Sequence, residues 1–251
     1  MQSGNPAINK NTFLDAASGA LVAHDDSTMT INGTVNKTGL LLILVLVGAM
    51  YSWSQFSGPQ SAAALYPLIL GGAIGGLVLA LVTAFKKTWS PVTAPLYALV
   101  EGVFIGALSA IFEVRFPGIV MQAVGLTFGT MAALLLAYRS GLIRATEKFK
   151  LGVVAATGGI ALVYLASIVL GFFDIRIPFI HESGIIGIGF SLFVVVIAAL
   201  NLVLDFDFIE TGVEQGAPRY MEWYGAFGLM VTLVWLYLEI LRLLSKLQSR
   251  D

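Results

Sequence analysis

The sequence predicts an all-α membrane protein of seven transmembrane helices, on three observations. The chain of 251 residues is 57% hydrophobic and 12% charged, with a mean hydropathy of +0.87; an ordinary soluble domain carries about 25% charged residues. Seven apolar runs, each close to the roughly 20 residues a helix needs to cross hydrocarbon, are separated by short polar stretches. These runs are continuously apolar instead of alternating with period two. In lipid a continuous run satisfies its backbone hydrogen bonds as a helix, whereas alternation would mark a barrel.

The elements follow in order. Residues 1–37 are rich in Asn, Thr, Ser, Gly and Asp and lack the basic start, short apolar core and cleavage site of a secretory signal. They read as a flexible polar arm ahead of a single transmembrane domain, residues 38–251. The first span, Thr38 to Phe56, is uncharged and is broken by Gly58-Pro59. The second, Ala62 to Phe85, is closed by Lys86-Lys87, and the third, Val92 to Phe112, holds one acid, Glu101. Gly118 to Tyr138 is the fourth, followed by a basic loop with Arg139, Arg144, Lys148 and Lys150. Leu151 to Phe173 is the fifth, with Asp174, Arg176, His181 and Glu182 in the next connection. The sixth runs from Gly184 to about Phe208; a polar loop with Glu210, Glu214 and Arg219 leads to the seventh, Trp223 to Leu244.

Basic residues set the orientation. With the N-terminus cytoplasmic, Lys10, Lys37, Lys86, Lys87, Arg139, Arg144, Lys148, Lys150 and Arg219 lie inside, and the opposite loops hold Arg115 and Arg176. Arg242, Lys246 and Arg250 oppose this bias if the last segment spans fully, and follow it if that segment is re-entrant. The full span is preferred, because its length suffices to cross.

Several function classes are excluded. A net charge of -1 with scattered basic residues makes no nucleic-acid surface. Without cysteine there is no disulfide, thiol catalysis or cysteine-ligated metal. The two histidines, His24 and His181, form no zinc-protease motif, and Ser191 has no base near it in sequence. An enzyme is therefore not expected, nor a cofactor. Glycine pairs and spacings such as Gly71-Gly72, Gly75-Gly76, Gly102-x-x-x-Gly106, Gly125-x-x-x-Gly129 and Gly158-Gly159 lack the strand-turn-helix setting of a phosphate loop. They predict close helix packing instead.

The candidate functional residues are the acids in or beside apolar runs. Lipid offers a carboxylate no hydrogen-bond donor, so such a group must meet protein, water, a proton or a cation. Glu101 lies about 13–14 Å into its helix, near the bilayer midplane. Asp205 and Asp207, two apart, point about 200° from each other on a helix and cannot chelate on one face. Asn201 shares the face of Asp205; Asp207, Glu210 and Glu214 form the other, a wet rim at the inner mouth. No calcium helix-loop-helix pattern is present, since the sixth position counted from Asp205 is Glu210 and not glycine. In the seventh span Thr232 and Glu239 lie nearly on one face, and Glu239 can pair with Arg242 three residues on. Acids at successive depths are what a cation or proton path needs.

Several stretches resemble the Bax inhibitor family, in its bacterial branch with a polar N-terminal extension. They are Gln2-Ser-Gly-Asn-Pro6, Met29-Thr30 through Lys37-Thr38, Glu101-Gly102-x-x-x-Gly106, Asn201 to Glu210, and Gly212 to Tyr224 running into Trp235 to Arg242. The resemblance covers essentially the whole chain. It implies three helix hairpins around a central C-terminal helix, residence in the bacterial cytoplasmic membrane, and a pH-sensitive calcium or cation leak. It further implies a proton-sharing aspartate pair, one on the sixth helix and one on the seventh. Asp205 matches the sixth-helix member, but the seventh-helix position falls on Thr232, so the second aspartate is missing.

Two functions are expected from these residues. In the first, an ion-leak protein uses Asp205, with Asp207, as a cation or proton site, and Glu101, Asn201, Thr232 and Glu239 line or gate the path. Calcium is then a permeant ion or ligand, not a cofactor. In the second, the chain is an interaction protein that modulates a membrane-anchored protease or another membrane complex, and truncation before Thr38 discriminates the two.

Overall fold

A computed structural model describes residues 28–56, 58, 62–171, 173 and 184–249. Seven helices, each long and apolar enough to cross a membrane, account for nearly all of them. They are α1 (Ile31–Ser54), α2 (Ala62–Phe85), α3 (Ser90–Arg115), α4 (Ile119–Arg139), α5 (Glu147–Gly171), α6 (Ile185–Glu214) and α7 (Met221–Gln248), with a short 3-10 turn, Lys87–Trp89, ahead of α3. No strand occurs among the described residues beyond one isolated bridge, Thr28 to Pro218. The Gln2 to Pro6 stretch, most of the expected arm, and both histidines lie outside the described residues.

Local chemistry explains the helix ends. Thr30 caps α1, its side chain accepting from the Gly33 amide. Glu113 near the end of α3 accepts from the amides of Gly118 and Val120 at 2.6 and 3.1 Å and so caps α4 from outside. Gly141, at φ +72, ends α4 in a left-handed turn that returns the Leu142 and Ile143 amides to the Ala137 carbonyl. Gly216, at φ +64, ends α6 in the same way.

The last helix is the hub. Of the residues in the most apolar stretch of α7, 61% are buried, against 11% for α5. It packs on α1, α3, α4 and α6, and Met230, Leu236 and Leu241 are fully enclosed. α3 carries both α1 and α2 along its length, whereas α5 rests mainly on α6. Leu46, Leu77, Leu136 and Leu162 point outward, as side chains facing lipid do. α7 is a single unbroken helix, about 42 Å long at 1.5 Å per residue, which favours the full span over a re-entrant loop.

Three expectations are corrected. α1 begins at Ile31 and not at Thr38, because Thr30 supplies a cap; residues 28–37 therefore belong to the bundle and not to the arm. α6 continues through Glu210 and Glu214, which sit on a helix and not in a loop. The glycines divide: added Cβ atoms at Gly102 and Gly106 would overlap Val45 and Ala49 of α1, and Gly72 and Gly76 meet Phe104 and Glu101. Gly71, Gly125, Gly129, Gly158 and Gly159 face open space, so they pack against nothing within the bundle.

Candidate functional site

Asp205 lies on α6 between the buried side chains of Leu202 and Phe206. Its Oδ2 is sealed from solvent and is the one buried side-chain oxygen or nitrogen without a hydrogen-bond partner among the described residues. The side chain that hydrogen-bonds the carboxyl is Thr232 of α7. Gly228, one turn earlier on α7, also lies beside the carboxyl: a Cβ there would sit 3.8 Å from Asp205 Oδ1, in ordinary contact. No ion pair among the described residues includes Asp205. Thr232 of α7 is thus the residue that faces Asp205.

Asn201 shares that side of α6 but turns to the neighbouring helix. Its Nδ2 donates to Thr157 of α5 and to the Ile197 carbonyl, both at 2.8 Å. Asp207 points elsewhere, as the 200° rotation requires, and pairs with Lys150 at 2.8 Å. Glu210 accepts from the Tyr138 hydroxyl. Asp205 and Asp207 therefore do not form one site, and the described residues contain no group of three acids or histidines able to hold a metal.

Glu101 is buried on α3 against α2. A Cβ at Gly76 would stand 2.6 Å from its Oε2, so glycine is what admits the carboxylate. Tyr97, one turn before it, hydrogen-bonds Glu101. The Tyr97 ring meets Phe227 of α7 edge-on, with centroids 5.1 Å apart. Glu101 thus reaches α7 through Tyr97 and Phe227. Of the candidates, Asp205 and Thr232 are the two that the fold brings into contact.

Glu239 belongs to another construction. Only 2% exposed, it accepts from Arg242 Nη1 at 2.9 Å and from the Tyr164 hydroxyl at 3.0 Å, and Arg242 also donates to that hydroxyl at 2.6 Å. The Arg242 guanidinium lies over the Tyr164 ring, 5.1 Å from its centroid. The charge is neutralised in place, and the result is a clamp between α5 and α7.

Two buried charged side chains and their partners were not singled out from sequence. Glu222, at the start of α7, accepts from the Thr30 amide at 2.9 Å and the Thr30 hydroxyl at 2.8 Å, and pairs with Lys37. Its carboxylate fills the space that a side chain at Gly33 would need. Lys246, near the other end of α7, donates to Ser191 Oγ at 2.8 Å and to the Gly187 carbonyl at 3.0 Å. Both partners lie far off in sequence, so no local spacing announces them. Tyr97 could have been found, since it lies one helical turn from Glu101.

A family model described as Bax inhibitor 1 like matches residues 5–249, nearly the whole chain. No curated protein and no solved structure gives a significant match.

Proposed function

We propose that this chain, which belongs to the Bax inhibitor 1 like family, is an ion-leak protein of the membrane in which Asp205 governs calcium or proton passage. The observation that carries the proposal is the sealed, unpartnered Oδ2 of Asp205 on the face of α6 that meets the central helix. A buried polar oxygen without a donor is costly, by about 1–3 kcal/mol, and by more when it is charged. A proton or a cation removes that cost, and both are species such a protein would conduct.

Thr232 gives the site one hydroxyl where a second carboxyl would make a proton-sharing pair. Glu101 and Tyr97 extend the polar region toward α2 and α3, and the rim acids Asp207 and Glu210 mark its mouth. In this reading the end of the bundle bearing Lys86, Lys87, Arg139 and Arg144 is cytoplasmic, by the usual bias of basic residues, in a bacterial inner membrane.

Calcium flux into vesicles containing the purified chain tests the proposal. Asp205→Asn keeps the shape but removes the titratable group, so flux should change and its pH response should be lost. Thr232→Asp introduces a second carboxyl opposite the first, so its pH response should differ from that of the wild type. Flux and pH response unchanged in Asp205→Asn and in Glu101→Gln would overturn the assignment.

A further inference from the structure

At the end of the bundle that holds the start of α1, a cavity of about 450 Å³ opens between the end of α4, the α4–α5 connection and the end of α6. Tyr138, Arg139, Arg144, Thr146, Asp207 and Glu210 contribute its polar lining. The two kinds of charge in it differ in one respect. Each acid has a protein partner: Lys150 takes Asp207 Oδ2 and the Tyr138 hydroxyl takes Glu210 Oε2. Neither guanidinium has a side-chain hydrogen bond or an ion pair among the described residues. Two guanidinium groups open to an anion stand beside two carboxylates, so the lining is complementary to a ligand that carries both charges.

The surroundings say what kind. Gly141 turns the chain back so that Arg144 Nη2 lies 3.8 Å from where a Gly141 Cβ would be. The next residue, Leu142, is 82% exposed, and Leu136 and Leu151 on the adjoining helices are also exposed. Apolar side chains this open are stable against acyl chains, which places the arginines where the outward apolar surface stops and lipid phosphates begin. Guanidinium forks suit the paired oxygens of a phosphodiester. The second oxygens of the two acids remain beside it, as acceptors for an ammonium carrying N–H donors.

We propose that this cavity is a phospholipid headgroup site, with Arg139 and Arg144 holding the phosphodiester and Glu210, with Asp207, receiving the ammonium of an ethanolamine headgroup. A choline headgroup has no N–H to donate, and a glycerol headgroup brings no cation for the acids. Phosphatidylethanolamine is therefore the preferred lipid.

Native mass spectrometry of the delipidated full chain in detergent, titrated with phosphatidylethanolamine, phosphatidylcholine and phosphatidylglycerol of equal acyl length, tests this. Phosphatidylethanolamine should bind about tenfold more tightly than phosphatidylcholine, a factor that one charge-assisted hydrogen bond supplies. Arg139→Gln with Arg144→Gln should weaken it by at least as much. Glu210→Gln should erase the preference over phosphatidylcholine while leaving phosphatidylglycerol unaffected. Lys148→Gln removes a charge from the adjoining first turn of α5, outside the cavity, and should change nothing. Equal binding of the three lipids, or an equal loss in Lys148→Gln, would reduce the effect to general attraction and overturn the site. Displacement of bound lipid by millimolar inorganic phosphate or phosphoethanolamine would assign the cavity to a soluble anion instead. Because these side chains are exposed, unchanged thermal midpoints are expected, so a loss of binding reads on the cavity alone.

Discussion

The glycines of α3 and those of α4 carry the same four-residue spacing and live in opposite surroundings. Gly102 and Gly106 let α1 approach until its backbone occupies the space of a side chain; Gly125 and Gly129 meet nothing. The contrast extends to whole regions. α1, α2 and α3 form a tightly packed slab, tied to the central helix by Glu222 with Thr30 and Lys37. α5 is held to α6 over a short contact and to α7 chiefly by the Tyr164, Glu239 and Arg242 clamp. One side of the molecule is thus built on backbone approach, the other on single polar ties. Asp205 lies on α6, the helix that joins α5 to the hub.

The largest expected effect breaks the slab at its ionic tie. Lys37→Met leaves Glu222 buried with only Thr30 as partner and should destabilise the chain by about 3–5 kcal/mol, the usual cost of removing one member of a buried pair. Adding Glu222→Gln should recover much of that loss. Unfolding followed by denaturing detergent measures both, and a loss below about 1 kcal/mol would show that the contact holds little. A truncation meant to test the polar arm alone has to end before Thr28, since removing Thr30 and Lys37 removes this tie as well.

Gly102→Val comes next. It forces a side chain into the Val45 carbonyl of α1 and should cost about 1–3 kcal/mol by overpacking. Gly129→Ala, at the matching place on the open side, should stay within about 0.5 kcal/mol of the wild type or gain up to about 1 kcal/mol from helix propensity. Both are read in the same unfolding measurement. If Gly129→Ala proves as damaging as Gly102→Val, the open face is covered by another helix in the membrane, and the contrast between the two regions belongs to the isolated chain alone.

Some of the site was legible before any coordinates. An acid within an apolar run is conspicuous because hydrocarbon cannot solvate it, which singles out Glu101 and Asp205. The separation of Asp205 from Asp207 follows from 100° per residue, and the Glu239 to Arg242 pair from a spacing of three. That Thr232 stands at the seventh-helix position opposite Asp205 was implied by the family resemblance and not by any spacing. The partners contributed by other helices were not legible: Tyr164 for Glu239, Thr157 for Asn201, and Lys37 for Glu222 across 185 positions. Nor was the end of α6, where polar residues read as loop continue as helix because Gly216 supplies the stop.

By itself the sequence determined the class of solvent, the number of crossings and which acids had to be neutralised. Those follow from transfer energies and helix periodicity, which act over a few residues at a time. Only the tertiary structure decided which glycines are contacts, which acids are paired and which one is left with an oxygen unpartnered. Each of these depends on which helix stands alongside, and a spacing of four residues is the same whether the neighbour is a backbone or a lipid tail.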